Sequence, residues 1–99
     1  MGAYSPSRLI NEELENKILK KIIHPTLIGL EELGCKYRGF LYAGLMIVKD
    51  EPYLIEYNVR MGDPECQVIL PRLNTDLVKI ISFAVTNRLN TINLSLIHI

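Results

Sequence analysis

The stretch Tyr53-Leu54-Ile55-Glu56-Tyr57-Asn58-Val59-Arg60 runs straight into Met61-Gly62-Asp63-Pro64-Glu65, and its reading decides the fold. As a strand it turns alternate side chains to opposite faces. Tyr53, Ile55, Tyr57 and Val59 then form an apolar face, and Leu54, Glu56, Asn58 and Arg60 form the other. The second face holds a carboxylate, an amide and a guanidinium in a row, each about 7 Å from the next by strand rise. Carboxylate and amide oxygens are hard ligands suited to magnesium. A guanidinium beyond them suits a phosphate oxygen. The pattern reads as a site for metal-bound nucleotide phosphates. The plainer alternative is the solvated face of an edge strand, with Glu56 and Arg60 loosely paired.

The preceding run, Phe40 to Val48, tilts the choice toward a site. It is rich in strand formers and apolar on both alternating faces, so it predicts an interior strand covered on both sides. Gly44 in its middle marks a bulge or a close approach of backbone. Lys49-Asp50-Glu51-Pro52 reads as the turn between two antiparallel strands. Polar groups at the centre of a covered sheet need partners. Gly62-Asp63-Pro64-Glu65 adds two carboxylates at the strand end, on a turn able to hold them rigidly. A tight turn with no further role is the alternative there.

Outward from this centre, Met1 to Ile10 is a loop punctuated by Gly2, Ser5, Pro6 and Ser7. Composition favours a plain flexible start over a loop that closes on a ligand. Asn11 caps a helix with Glu12 and Glu13 in its first turn. Leu14, Ile18 and Ile22 recur every four residues as one apolar stripe. Glu13 and Lys17 are spaced for a surface pair worth about 0.3 kcal/mol. Pro25 is expected to stop or kink this helix, pushing His24 out of helical geometry. A second helix, Pro25 to Leu33, turns Leu27, Leu30 and Leu33 to the core and ends at Gly34. His24 reads as a structural residue at the junction. Val68 to Leu73 is a loop or a single helical turn. Asn74 or Thr75 caps a last helix carrying Leu77, Ile80, Ile81, Ala84 and Val85 on one face, with Asn87 or Asn90 as its stop. Thr91 to Ile99 suggests a short edge strand.

The chain has 99 residues, enough for one small domain, with 48% hydrophobic and 22% charged residues and zero formal net charge. That balance favours neither nucleic acid nor membrane as a partner. Its longest apolar run falls far short of the roughly 20 residues that span a bilayer. The first residues lack the pattern of a secretory signal, so the expected location is cytoplasmic. Cys35 and Cys66 have no metal-type spacing. Two idle thiols in a reducing compartment is the reading taken, with a single disulfide left open by spacing alone.

The motifs together resemble the glycinamide ribonucleotide synthetase (phosphoribosylamine–glycine ligase) family of the ATP-grasp superfamily. The resemblance rests on Met1-Gly2-Ala3-Tyr4-Ser5-Pro6, on Tyr37-Arg38-Gly39-Phe40-Leu41-Tyr42-Ala43-Gly44-Leu45-Met46, and on Glu56 to Glu65. Ile69-Leu70-Pro71-Arg72-Leu73 and Thr75-Asp76-Leu77 continue it, so that it spans Gly2 to about Leu89. The Glu-x-Asn-x-Arg element alone would indicate only the superfamily. The implied fold is α+β, part of an ATP-grasp domain with antiparallel strands packed with helices. The implied arrangement over 1–99 is a single fragment, the second half of that domain: loop 1–10, helices 11–33, strands 38–60, site turn 61–66 and helix 75–88.

The implied reaction joins glycine to phosphoribosylamine with ATP, through a glycyl phosphate, in de novo purine (IMP) biosynthesis. By the resemblance Glu56 and Asn58 hold Mg2+ or Mn2+ against the ATP phosphates, and Arg60 both binds the nucleotide and serves catalysis by steadying the transferred phosphoryl group. Ser5, Pro6, Gly62, Asp63, Pro64 and Glu65 border the amine or glycine pocket. The family is several times longer, and no glycine-rich phosphate loop with a lysine occurs here. Gly44 stands where many ATP-grasp enzymes carry a second acidic ligand, which leaves more of the charge balance to Glu56. The rest of the parent polypeptide is therefore an expected partner, and the isolated fragment is expected to be inactive. Leu94 to Ile99 has no recognisable counterpart. Two other functions compete: a different carboxylate–amine ATP-grasp ligase, and a non-catalytic metal- or nucleotide-binding module.

Overall fold

The computed structural model describes residues 2–91. They are α+β. The order is helix α1 (Glu12–Ile18), a π-helical turn (Leu19–Ile23), α2 (His24–Glu32), strands β1 (Tyr42–Val48) and β2 (Glu51–Asn58), α3 (Glu65–Ile69), a 3-10 turn (Leu70–Arg72), α4 (Leu77–Val85) and a final 3-10 turn (Leu89–Thr91). The edge strand expected over 91–99 falls, beyond Thr91, outside the described residues. The chain divides into two compact units. One gathers Ser7–Tyr37 and Leu41–Val59; the other gathers, among the described residues, 2–6, Arg38–Phe40 and 60–91.

The first unit is a helix laid against a hairpin. Asn11 starts α1, its side-chain oxygen accepting the Leu14 amide at 2.8 Å. Leu14 and Ile22 are the buried hydrophobic residues, 3% and 9% exposed. Each contributes roughly 1.5–3 kcal/mol of transfer free energy. The stop expected at Pro25 does not occur. His24 keeps helical angles (φ −61°, ψ −45°) and begins α2 directly. In a regular α-helix the proline ring would press on the carbonyl four residues back. Here the wider turn over Leu19–Ile23, with the His24 amide donating to the Leu19 carbonyl, relieves that contact. The helix ends at Gly34 (φ +85°), where the Cys35 amide reaches Leu30 O at 2.9 Å and the Gly34 amide reaches Glu31 O at 3.0 Å. That paired closure needs a residue tolerant of left-handed backbone. Leu33, expected in the core, is 83% exposed.

The hairpin closes through Lys49 and Asp50 alone, both at positive φ (50° and 62°), so Glu51 and Pro52 belong to β2 rather than to the turn. Lys17 does not pair with Glu13. Its Nζ reaches across to the Asp50 carbonyl (3.1 Å) and the Glu51 carboxylate (3.3 Å), and Lys21 joins Glu51 at 2.8 Å. Donation from Lys21 and then Lys17 holds the Glu51 carboxyl below the usual carboxylate range.

The sheet is two-stranded and antiparallel among the described residues. The interior strand covered on both sides is therefore not what forms: Met46 and Val48 of β1 are 54% and 46% exposed. Strict alternation along β2 also fails. Gly44 pairs with Glu56 but Leu45 pairs with Leu54, so Ile55 is an extra residue, a β-bulge.

In the second unit Glu65 already lies in the first turn of α3, with the Cys66 amide bonded to Gly62 O at 2.8 Å. The cap of α4 is Asp76, accepting the Val78 amide at 3.0 Å, not Asn74 or Thr75. Asn87 (φ +59°) closes α4, the Arg88 amide reaching Phe83 O at 2.7 Å. The apolar face expected to turn to a core is partly open, with Ile81 and Val85 at 44% and 63% exposure. Cys35 and Cys66 are both free thiols.

Candidate metal and phosphate site

Residues directly opposite each other in an antiparallel pair share a face. Glu56 therefore shares the face of Gly44, and Asn58 that of Tyr42. The Asn58 Nδ2 donates to Glu56 Oε1 at 3.2 Å. Spacing by two thus brings the carboxylate and the amide together as expected. Leu54 does not join them: it pairs with Leu45 on the opposite face, because the bulge at Ile55 resets the alternation. Tyr53, opposite Met46, moves onto the Glu56 side instead, and is 57% exposed.

Gly44 makes this face possible. A Cβ there would stand 3.2 Å from Glu56 Cγ and 3.5 Å from its carbonyl oxygen. The close approach anticipated at Gly44 is therefore that of the Glu56 side chain. On the far side of the strand Tyr57 faces the helix. Its hydroxyl lies 2.7 Å from Thr26 Oγ1 and 3.2 Å from the Ile22 carbonyl oxygen.

Glu56 itself is exposed. The expectation that buried polar groups here would be driven to find partners fails with the covered sheet that motivated it. The donor set still suits a hard cation. Mg2+ keeps several waters and binds through one or two protein oxygens plus phosphates. One carboxylate and one side-chain amide on an open face meet that demand. No group of three or more His, Cys, Asp or Glu that could hold a metal occurs among the described residues.

The remaining expected site residues belong to the other unit. Arg60 lies past the end of β2. It donates from Nη1 to the Met61 carbonyl at 3.4 Å. Around the Gly62 Cα, a Cβ would fall 2.9 Å from Glu65 Cδ and 3.5 Å from Arg60 Nη1, so acid and guanidinium both flank that glycine. Asp63 turns to Gln67, accepting from Nε2 at 2.6 Å. Pro64 and Pro6 each follow a cis peptide bond. Ser5 Oγ accepts a hydrogen bond from Arg72. The structure thus joins Glu56 with Asn58, and Arg60 with Gly62 and Glu65, while Asp63 and Ser5 have neighbours of their own. Gln67, Arg72, Thr26 and the anchoring role of Tyr57 went unread in the sequence. Only Gln67 had a local signal, its spacing of four from Asp63.

Residues 1–66 match the family model for phosphoribosylglycinamide synthetase, ATP-grasp (A) domain. The chain belongs to this family. The resemblance drawn from its motifs therefore holds, and its α+β fold is part of an ATP-grasp domain. It is 47% identical over 94 residues to a phosphoribosylamine–glycine ligase of Brucella melitensis, covering 95% of this chain and 22% of the relative. To the chloroplastic phosphoribosylamine–glycine ligase of Arabidopsis thaliana it is 50% identical over 96 residues, covering 95% of this chain and 18% of the relative. To the trifunctional purine biosynthetic protein adenosine-3 of Gallus gallus it is 46% identical, covering 92% of this chain and 9% of the relative. This phosphoribosylglycinamide synthetase family chain thus spans about a fifth or less of each of these three relatives. No helix among its described residues is long and apolar enough to cross a membrane.

Proposed function

We propose that this chain is a portion, the second half of the ATP-grasp unit, of a cytoplasmic ATP-dependent ligase that joins glycine to phosphoribosylamine in purine biosynthesis. The glycine carboxylate takes the terminal phosphoryl group of ATP, releasing ADP. The amine of phosphoribosylamine then attacks the glycyl phosphate and displaces inorganic phosphate. Glu56 and Asn58 would hold Mg2+ or Mn2+, which when bound supplies charge neutralisation for the nucleotide phosphates. Arg60 presents a guanidinium to the transferred phosphoryl group, the kind of fixed charge that phosphoryl transfer rewards. Ser5, Pro6, Gly62, Asp63, Pro64 and Glu65 contribute to the glycine and phosphoribosylamine pockets. The rest of a longer polypeptide supplies the remaining substrate contacts, so the isolated chain makes no product.

The observation that carries this reading is the Asn58–Glu56 pair on one face of the hairpin, 3.2 Å apart, in a chain of this family. The test is a chimera in which this segment replaces its counterpart in the full-length Brucella melitensis relative. Product formation is followed with ATP, glycine and phosphoribosylamine. Glu56→Gln and Asn58→Ala should each lower turnover by about 100-fold or more, the order seen when a fixed electrostatic group is removed. Turnover of either variant at the parent chimera's rate would overturn the assignment. Product from residues 1–99 alone would refute the stated incompleteness.

A further inference from the structure

Glu56 and Asn58 are held from behind by the residue between them. Tyr57 projects to the opposite side of β2, where Thr26 Oγ1 lies 2.7 Å from its hydroxyl and the Ile22 carbonyl oxygen 3.2 Å away. Thr26 Oγ1 also donates to that carbonyl at 2.8 Å. Two hydroxyl hydrogens thus serve three short contacts. Ile22, 9% exposed, is one of the two buried hydrophobic residues of the helix–hairpin unit, and it lies inside the π-helical turn. The anchor is therefore fixed to the best-packed part of its unit, while Glu56 is exposed. A strand residue's φ and ψ set the direction of the side chains on either side of it. Hydrogen bonds from a half-buried hydroxyl hold such a residue more firmly than packing of the ring alone.

We infer that Tyr57, clamped by Thr26 and the Ile22 carbonyl, is a positioning residue that aims Glu56 and Asn58 at one cation. This rests on the cation role proposed above for those two side chains. Tyr57 touches neither metal nor substrate. It acts by limiting the rotation of β2 about its own axis between the two ligands. Gly44 complements it on the front by leaving the space that Glu56 occupies.

The probe is Mn2+ alone, added to the 99-residue chain. The readout is paramagnetic broadening of the Asn58 side-chain amide signals in 15N NMR, with thermal melts by circular dichroism recorded in parallel. Glu56→Gln should raise the Mn2+ concentration at half-broadening at least tenfold. Tyr57→Phe and Thr26→Val should each raise it at least threefold, and Thr26→Ser, which keeps the hydroxyl, should stay within twofold of the parent. A merely structural role would lower the melting temperature of Tyr57→Phe and leave the Mn2+ midpoint where it was, which overturns the inference. If Tyr57→Phe does not fold, the Thr26→Val and Thr26→Ser pair decides in the same way. Broadening unchanged by Glu56→Gln would overturn the cation reading and this inference together. Loss in Glu56→Gln with parent-like Tyr57→Phe and Thr26→Val would overturn this inference alone.

Discussion

The two units of the chain keep their shape by different means. The helix–hairpin unit has long-range partners: Leu14 and Ile22 packed within it, Lys17 and Lys21 on Glu51, Thr26 on Tyr57. From Arg60 onward most of the described bonds link neighbours in sequence, such as Gln67 to Asp63 and Val78 to Asp76; the exceptions include Arg72 to Ser5 and Arg38 to the Val85 carbonyl. Its large side chains Val78 and Val85 are 73% and 63% exposed. The difference teaches where substitutions will register. The cation site proposed on the first unit would inherit a register. Residues on the second inherit local turn geometry.

The sharpest way to break this contrast is to empty the packed side. Leu14→Ala should destabilise the helix–hairpin unit by about 3 kcal/mol, while Val78→Ala, at an exposed position, should stay within about 0.5 kcal/mol. Chemical denaturation followed by circular dichroism checks both, and equal losses would erase the distinction. Next in size is Gly44→Val. The added side chain must displace Glu56, whose Cγ would lie 3.2 Å from the new Cβ, at a cost of about 1 kcal/mol. Chemical-shift changes should centre on Glu56 and Asn58. Caps sharpen the comparison, because they are local in both units. Asn11→Ala and Asp76→Ala should each cost about 1 kcal/mol of helix stability. A loss confined to one would mean that the other helix is held by packing.

The smallest effect is electrostatic. The folded pKa of Glu51 is depressed, chiefly by the hydrogen bond from Lys21 and then by that from Lys17. Its contribution is then present above the ordinary carboxylate range and is lost as pH falls through the depressed value. Acid titration of the parent against Glu51→Gln should show a stability difference between them that shrinks as pH falls through the depressed value. Added salt should shrink that difference, since these groups are partly open to solvent.

Much of the helix–hairpin unit was legible because its rules are local. Asn11 before two glutamates, the stripe of Leu14 and Ile22, and Gly34 after the last leucine each announce themselves in a few residues. Glu56 and Asn58 were legible as partners because a spacing of two survives wherever the strand is regular. Arg60 was not: the strand ends at Asn58, so the count of two no longer holds. The passage of the helix through Pro25 depends on a wider turn that no residue type signals. Gly44 signalled a bulge or a close approach, and the register does shift between Gly44 and Leu45; that the extra residue is Ile55 was hidden because Tyr53, Leu54 and Ile55 are all apolar and fit either register. Asp76 prevailed over Asn74 and Thr75 as a cap because all three are good caps, and sequence alone does not rank neighbours.

Ile55 also resolves a parity conflict. Pro52 is buried and Tyr57 reaches the helix, yet they stand five positions apart, and a strand of strict period two cannot turn both inward. The extra residue supplies half a period. A regular ladder with Ile55 paired would force a choice between the two ends: with the turn-proximal end seated, Tyr57 would swing outward, carrying its even-numbered neighbours Glu56 and Asn58 onto the helix.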